Sequence, residues 1–430
     1  MTDKMKILIV GGGGREHAIA WKAAGSPLVE EIYCAPGNAG IAELAKCVDI
    51  SPMAFEELAD FAEKKGIGLT IVGMDDPLVG GIVDVFEKRG LRVFGPRKNA
   101  AILEGSKAFS KDLMKKYGIP TAAYETFDDP GKALDYLRNE APFPVVLKAD
   151  GLALGKGVLI CSTLEEAENG VAEIMEKKKF GSAGNRMVVE EFLTGREVSV
   201  LAFASGDVIL PMTSAQDHKR AMDGDQGPNT GGMGTFSPSP FYTAEIDEYC
   251  IKKIYQPTVS AMMQEGRPFK GIIFFGLMLT KDGPKVLEYN ARFGDPETQV
   301  VLPRMKTDMI QVMEAVIDDR LDQVTLEFED NAAVCVVLAS DGYPGSYKKG
   351  LPIEGLKAFT GREGYYCFHA GTKAGQDGSI LTNGGRVLGV TATGESLKEA
   401  RKRAYEATDW IRFDNKYMRS DIGKAIDEAF

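Results

Sequence analysis

Short aliphatic runs alternate with longer amphipathic stretches over the first 104 residues. Continuous apolar runs such as Ile7-Leu8-Ile9-Val10 are typical of strands buried on both faces, whereas the stretches between them repeat apolar residues at helical spacing. The pattern predicts strands at 6–10, 32–35, 70–72 and 93–94, and helices at 16–24, 54–65 and 79–89. Strands that alternate with helices indicate βαβ units and therefore a parallel sheet.

A second unit begins at residue 105. Ser106 can cap a helix that Gly118 and Pro120 stop at about residue 117. From 121 to 193 the pattern predicts a small α+β lobe, with strands at 145–148, 158–160 and 187–191 and helices at 130–139 and 164–178. Four further apolar runs, 198–203, 208–212, 272–279 and 286–289, surround a glycine-rich polar stretch at 217–234, which we expect to be a long loop.

The last unit starts near residue 329. Its pattern predicts strands at 333–338, 365–368 and 386–393, followed by a helix over 396–410. We therefore expect three domains, at 1–104, 105–328 and 329–430, with the small lobe at 121–193 inside the second.

Composition narrows the function. The 51 basic and 62 acidic residues give a net charge of −11, which argues against a nucleic-acid-binding protein. No apolar run approaches the roughly 18 residues that cross a bilayer, and we expect no membrane partner. The N-terminus lacks a signal-peptide pattern, and six scattered cysteines without a C-x-x-C pair fit reduced thiols, so we expect a cytoplasmic protein. With three histidines, the chemistry must rest on carboxylates, lysines and backbone amides.

A glycine run, Gly11 to Gly14, follows the first strand and opens the first helix. Backbone N–H groups and the helix dipole hold anions in this setting. The dinucleotide fingerprint fails, because Glu16 stands at the position of its third glycine. The alternative to an anion site is a tight turn without a ligand.

A second glycine-rich loop joins the strands before and after residues 149–157. It differs from a Walker loop, since the spacing between its glycines is one residue short and a strand follows it where a Walker loop has a helix. Two strands with a flexible loop can fold over a triphosphate, with Lys148 and Lys156 as point charges. The alternative is an ordinary hairpin with surface lysines.

Carboxylates suggest the rest of a nucleotide site. Glu190 and Glu191 end an apolar strand between two lobes, where contacts to adenine and ribose would be found. Glu288 and Asn290 alternate along another strand and thus share a face, which suits magnesium bound together with phosphates. Arg292 follows as an anion ligand, and Asp295 before a proline also has the pattern of a helix N-cap.

Taken together, these motifs resemble the phosphoribosylamine–glycine ligase family of ATP-grasp enzymes over nearly the whole chain. The motifs that carry the resemblance are GGREHA (13–18), PGNAG (36–40), EGSK (104–107), KADGLALGKGV (148–158), DHKR (217–220), GPNTGGMG (227–234), RFGDPETQ (292–299) and FHAGT (368–372). The resemblance implies a multidomain α/β and α+β protein. Its parts would be a Rossmann-like pre-ATP-grasp domain, an ATP-grasp domain with a small lid lobe, and a C-terminal α/β domain.

The resemblance also implies site residues. ATP would lie between the lid lobe and the main domain, with phosphate contacts from Lys107, Lys148 and Lys156. Adenine would lie at Glu190 and Glu191 and ribose at Glu197, while Mg²⁺ or Mn²⁺ would bind Glu288 and Asn290. The sugar phosphate of phosphoribosylamine would contact Gly12, Gly13, Gly14, Arg15 and Asn38. Asp75, which stands where the family has a longer acid, would contact its ribose. Lys219 would contact substrate, and Asp217, Arg292 and Asp295 would border glycine.

The reaction implied is ATP-dependent joining of glycine and phosphoribosylamine in purine biosynthesis, through an acyl phosphate and without a side-chain nucleophile. The partners would be these small molecules, and the protein would be a monomer or a weak homodimer. A biotin-carboxylase-like enzyme that uses bicarbonate is disfavoured by the DHKR and GPNTGGMG motifs, and a nicotinamide-dependent dehydrogenase by the failed fingerprint. A nucleotide sensor without turnover stays open.

Overall fold

The computed structural model describes residues 4–153 and 157–429. The N-terminal sheet is parallel, in the order β3-β2-β1-β4-β5, as the alternating pattern predicted. Its elements are β1 (Met5–Gly11), α1 (Gly14–Ala24), β2 (Val29–Pro36), β3 (Lys46–Cys47), α2 (Phe55–Lys65), β4 (Ile67–Val72), α3 (Asp75–Gly80), α4 (Ile82–Lys88), β5 (Val93–Phe94) and α5 (Lys98–Gly105). The single helix expected at 79–89 is divided, because Gly81 adopts a left-handed φ of 103° between α3 and α4.

The small lobe follows helix α6 (Lys107–Tyr117), which Ser106 caps by accepting a hydrogen bond from the N–H of Phe109. Its four strands form an antiparallel sheet in the order β6-β9-β7-β8. The elements are β6 (Tyr124–Phe127), α7 (Pro130–Asn139), β7 (Val145–Ala149), β8 (Val158–Cys161), α8 (Leu164–Val171), which continues as a π-helical turn over Ala172–Glu176, and β9 (Met187–Glu191). The α+β lobe is therefore confirmed.

The body of the second unit is an antiparallel sheet in the order β11-β10-β16-β17. The strands of this segment are β10 (Arg196–Ser205), β11 (Val208–Pro211), β12 (Gln216–Asp217), β13 (Arg220–Met222), β14 (Gln226–Asn229), β15 (Gly234–Ser237), β16 (Lys270–Thr280) and β17 (Gly283–Asn290). Its helices are α9 (Ala244–Cys250), α10 (Gln256–Gln264), α11 (Thr298–Val301) and α12 (Met309–Ile317).

The C-terminal sheet takes two of its strands from the second unit. Its order is β12-β15-β18-β22-β19, with β23 also paired to β18. The C-terminal elements are β18 (Ala332–Ser340), β19 (Tyr365–His369), β20 (Thr372–Ala374), β21 (Ile380–Thr382), β22 (Arg386–Gly394), α13 (Leu397–Thr408), β23 (Lys416–Tyr417) and α14 (Ile426–Ala429). The interpretation of 217–234 as a long loop is wrong, because β12 and β15 join this sheet and β13 and β14 form a hairpin. The partner of β15 is β18, which lies about a hundred residues further along the chain and leaves no local signal.

The three units share buried contacts. One apolar cluster contains Ile9 of the N-terminal sheet, Phe203 of the body and Phe368 of β19. Beside it, the backbone N–H of His369 donates to Nδ1 of His17 at 2.7 Å. Burial lowers the pKa of His17 to about 3 and that of His369 to about 4, so both rings are neutral. No helix of the described ranges 4–153 and 157–429 is long and apolar enough to span a membrane.

The chain end anchors the 217–234 segment through a buried arginine. The side chain of Arg419 is 1% exposed, and its guanidinium donates to the carbonyl of Arg220 (3.0 Å) and to the carboxylates of Asp225 (2.8 Å) and Asp421 (2.7 Å). The N–H of Gly423 donates to Nε2 of His218 at 3.1 Å. These bonds connect the C-terminal segment to His218, Arg220 and Asp225.

We expect Arg419→Met to lower the free energy of unfolding by about 3 kcal/mol, because it leaves carboxylates without their buried partner. Arg138→Met, in an exposed pair with Glu168, is the matched control and should cost less than about 1 kcal/mol. Urea unfolding of both variants measures the difference. Equal losses in the two variants would contradict the structural role of Arg419.

Candidate active site

Two lysines mark one end of the site, where the small lobe meets the body. Lys148 on β7 is buried, contacts Glu190 (Nζ to Oε1, 2.9 Å) and donates to the carbonyl of Leu287 at 3.0 Å. Lys107 begins α6 and donates to the carbonyl of Gly151 at 2.8 Å. Burial lowers the pKa of Lys107, and Glu288 acts against that shift. Lys156, the other predicted phosphate ligand, lies outside the described residues.

The acids predicted around adenine and ribose lie in two different environments. Glu190 is buried and paired with lysines, whereas Glu191 is exposed at the end of β9. Glu197 is about half exposed, and its Oε2 lies 3.5 Å from Nζ of Lys219. The side chain of Glu190 therefore faces lysines in this structure.

Strand β17 presents the predicted metal ligands. Glu288 and Asn290 lie on the partly exposed face of this strand, whereas Tyr289 between them lies on the buried face. Oε1 of Glu288 accepts a hydrogen bond from Nζ of Lys219 at 3.2 Å. Lys219 is the main reason that the pKa of Glu288 falls to about 2, with Lys148 and Lys107 adding to the effect. Glu288 is therefore anionic at neutral pH.

This donor set fits a hard divalent cation that arrives with phosphate. Glu288 supplies a carboxylate, and the amide oxygen of Asn290 is engaged only at 3.4 Å by Arg292 Nη2. Within the described part of the chain, no cluster of three or more His, Cys, Asp or Glu side chains could hold a metal by itself. Magnesium is commonly bound by one or two protein oxygens plus substrate phosphates, and this pair satisfies that requirement.

Arg292 connects this end to the N-terminal domain. Its Nη2 lies 3.1 Å from Oε1 of Glu104 and 3.8 Å from Oδ2 of Asp75. Glu104 also accepts a hydrogen bond from the N–H of Ala291 (2.7 Å), and burial raises its pKa to about 7. The Nε of Arg292 is buried and finds no hydrogen-bond partner among residues 4–153 and 157–429, so one N–H remains for a ligand.

At the other end, Glu16 occupies the inside of the glycine turn. Its carboxylate accepts hydrogen bonds from the N–H of Gly13 (2.7 Å) and from Nε of Arg15 (2.6 Å). A Cβ placed on Gly11 would lie 2.6 Å from Cγ of Glu16. The acid that breaks the dinucleotide fingerprint thus fills the turn itself. Arg15 also donates to the carbonyl of Phe293 at 3.2 Å, which brings it beside the Arg292 segment.

Asn38 organises this turn. Its Nδ2 donates to the carbonyls of Gly12 (2.9 Å) and His369 (2.7 Å), and its Oδ1 accepts from two backbone N–H groups at 2.9 Å. The side chain thus links the glycine turn to the C-terminal sheet. Its hydrogen bonds in this structure are to protein backbone.

Asp295 lies between the two ends. Its Oδ1 accepts from Nε2 of Gln299 (2.7 Å), and its Oδ2 lies 3.2 Å from Nη2 of Arg386. The N-cap interpretation of Asp295 is wrong, since α11 begins at Thr298 and Glu297 occupies the N-cap position. The carboxylate instead faces Arg386, which β22 brings in from the C-terminal domain.

Asp217 and Glu297 are acids that form no ion pair with the basic residues that the structure describes. Among the described residues, no lysine or arginine nitrogen lies within 4.0 Å of either carboxylate. Oδ1 of Asp217 is buried without a hydrogen-bond partner in that same part of the chain, and Glu297 accepts from Oγ of Ser199 at 3.1 Å. Burial raises the pKa of both carboxyl groups, and Glu297 adds to the shift at Asp217. This pair would be stabilised by a bound cation.

Sequence reasoning missed several residues of this site. Glu104 belongs to the EGSK motif and Glu297 to the RFGDPETQ motif, so these motifs could have identified both residues. Lys111 and Arg386 stood in none, and only their contacts with Glu190 and Asp295 identify them.

Known proteins match this chain along its length. Family models of phosphoribosylglycinamide synthetase match its N domain at residues 5–104, its ATP-grasp (A) domain at 105–298 and its C domain at 333–425. The phosphoribosylamine–glycine ligase of Caldanaerobacter subterraneus subsp. tengcongensis is 51% identical over 97% of this chain and 99% of that protein. The ligase of Halalkalibacterium halodurans is 50% identical over 99% of this chain and 98% of that protein.

Solved structures agree with the sequence relatives. The crystal structure of phosphoribosylamine–glycine ligase from Thermotoga maritima has a TM-score of 0.84 at 35% identity and covers 97% of this chain and 100% of that one. The biotin carboxylase domain of Hydrogenobacter thermophilus 2-oxoglutarate carboxylase has a TM-score of 0.75 at 18% identity, covering 96% and 92%, and shows the shared fold alone. The multidomain ATP-grasp fold is confirmed, and the chain belongs to the phosphoribosylamine–glycine ligase family.

Proposed function

We propose that this chain joins glycine to 5-phosphoribosylamine at the expense of ATP, giving glycinamide ribonucleotide, ADP and phosphate in de novo purine biosynthesis. The observation that carries the proposal is a series of charged side chains between the small lobe and the glycine turn. It runs from Lys148 at the small lobe through Glu288, Lys219 and Arg292 to Asp295 and Arg15 at the glycine turn. Such a series suits two anionic substrates that meet at a reacting centre.

ATP would bind at the lobe end. Lys107, Lys148 and Lys156 would hold its phosphates, the backbone beside Glu190 and Glu191 would face adenine, and Glu197 would bind ribose. Glu288 and Asn290 would hold Mg²⁺ or Mn²⁺, which when bound offsets charge on the phosphates. The low pKa of Glu288 supports this role, since the carboxylate is available as a ligand at neutral pH.

Phosphoribosylamine would bind at the other end. Its 5-phosphate would meet the turn of Gly12, Gly13, Gly14 and Arg15, which Asn38 holds in place, while Asp75 would face ribose. Helix α1 begins at Gly14, so its N-terminal amides add partial positive charge there.

Glycine would lie between them, bordered by Asp217, Arg292 and Asp295. Its ammonium group suits the carboxylates of Asp217 and Glu297, which have no basic partner of their own among the described residues, and Arg292 offers its free Nε–H to an anionic oxygen. Lys219 stands next to Glu288 and would contact the transferring phosphoryl group.

In the proposed reaction, a carboxylate oxygen of glycine attacks the γ-phosphorus of ATP and ADP leaves. The amine of phosphoribosylamine then attacks the acyl carbon, phosphate departs with that oxygen, and the amine loses a proton. Lysines and arginines offset charge, while the lobe keeps water from the acyl phosphate.

The experiment that tests this function supplies glycine labelled with heavy oxygen in its carboxylate, with ATP and phosphoribosylamine generated in situ. We expect glycine-dependent ADP release and one labelled oxygen in inorganic phosphate per turnover, because the bridging oxygen leaves with phosphate. Mass spectrometry of phosphate gives the answer. Unlabelled phosphate would rule out the acyl phosphate, and ADP release that needs bicarbonate in place of glycine would favour a carboxylating enzyme.

Glu288→Gln keeps the shape of the side chain and removes its charge. We expect turnover to fall at least about 100-fold, with little recovery at high magnesium, because a charged ligand to the cation and its phosphates is lost. Steady-state rates over a magnesium titration measure this, with Glu165→Gln, an exposed acid of α8, as control. Normal turnover at low magnesium would contradict the metal assignment.

Arg15→Ala should raise KM for phosphoribosylamine roughly 10- to 100-fold and leave KM for ATP nearly unchanged, because a charge-assisted contact to phosphate is lost at one end only. Thermal unfolding of the same variant checks the loss of the buried Arg15 to Glu16 pair. The reverse pattern of KM values would exchange the two substrate sites.

A further inference from the structure

Lys111 lies beside Glu190 of the proposed ATP site and belongs to none of the motifs that carry the family resemblance. It projects from α6 with a side chain that is 3% exposed, and its Nζ lies 2.9 Å from Oε2 of Glu190. The same Nζ donates to Oγ1 of Thr121 at 2.8 Å. Burial lowers the pKa of Lys111 to about 8, and the carboxylate of Glu190 opposes this shift.

Glu190 therefore lies between two lysines. Lys148 donates to the same oxygen, Oε2, at 3.0 Å, and its Nζ also lies 2.9 Å from Oε1. The side chains of Glu190 and Lys148 are 2% and 8% exposed. We call Lys111, Glu190 and Lys148 the Glu190 cluster. Two cations share one anion, so the cluster carries an excess positive charge where water is largely excluded. A buried excess charge is costly until an opposite charge compensates it.

The cluster joins the small lobe to the body. Lys148 and Glu190 belong to lobe strands β7 and β9, whereas Lys111 belongs to α6. Thr121, which accepts from Lys111, donates to the carbonyl of Val286 at 2.7 Å, and Lys148 donates to the carbonyl of Leu287. The position of Lys148 beside β17 thus depends on how Glu190 is held.

We infer that Lys111 is a positioning residue for ATP: it binds the carboxylate of Glu190 and thereby leaves the charge of Lys148 available to the nucleotide phosphates. The inference rests on the proposed function, since it assigns the anion to ATP. Without Lys111, Glu190 would pair with Lys148 alone, and that pair would be neutral. Lys111 touches Glu190 and Thr121, so its effect on ATP passes through Glu190.

A double-mutant cycle tests this dependence. Magnesium ATP is titrated by calorimetry into the wild type, Lys111→Met, Glu190→Gln and the double variant. We expect Lys111→Met to weaken ATP binding about 10-fold when Glu190 is present and by less than about 2-fold in the Glu190→Gln background. Steady-state kinetics should show the same change in KM for ATP, with KM for glycine and kcat nearly constant.

Two further variants separate positioning from folding. Lys111→Arg keeps the cation and should bind ATP within about 3-fold of wild type. Lys115→Met removes an exposed lysine of the same helix and should leave the affinity for ATP unchanged. A purely structural Lys111 would lower the melting temperature and leave ATP affinity unchanged. If Lys111→Met does not fold, Lys111→Arg and the comparison in the Glu190→Gln background remain.

The outcomes are distinct. An equal loss of affinity in both backgrounds would mean that Lys111 acts on ATP directly, and unchanged affinity in both would mean that it has no part in binding. Either result overturns the inference while the proposed function stands. A wild-type chain that does not bind ATP would instead overturn the proposed function.

Discussion

Pairing of buried and partly buried carboxylates with basic side chains is the interaction on which the site depends. Glu190 holds Lys148, Glu288 holds Lys219, Glu104 holds Arg292, and Asp295 holds Arg386. A buried ion is costly without a partner, so each pair constrains the two elements that supply it. Because several pairs join segments that are far apart in sequence, they bring the lobe, the body and the terminal domains to one site.

Asp217 and Glu297 depart from that rule. Their carboxylates are buried at the centre of the site without a basic partner among the described residues, and burial raises their pKa values. Stability alone would favour compensating these charges, so the pair fits a place where a ligand brings the cation. Under the proposed function, the amino group of glycine supplies that cation.

The fold by itself does not select the substrate. A biotin carboxylase domain at 18% identity shares the architecture, as does the phosphoribosylamine–glycine ligase at 35%. Specificity must come from the residues placed on that architecture. We propose that in this chain these are the turn filled by Glu16, the 217–234 segment anchored by Arg419, and Arg386 from β22.

The amino-acid sequence alone determined features that depend on neighbours in the chain. Apolar periodicity identified the parallel sheet, Ser106 and Gly118 marked the ends of α6, and side-chain alternation placed Glu288 and Asn290 on one face. The family motifs identified most of the proposed site. Tertiary structure decided the pairing of β15 with β18, the partner of Asp295, and the contact of Lys111 with Glu190. These contacts join segments that only the packed fold brings together, and an ion pair carries no local periodicity from which its partner can be read.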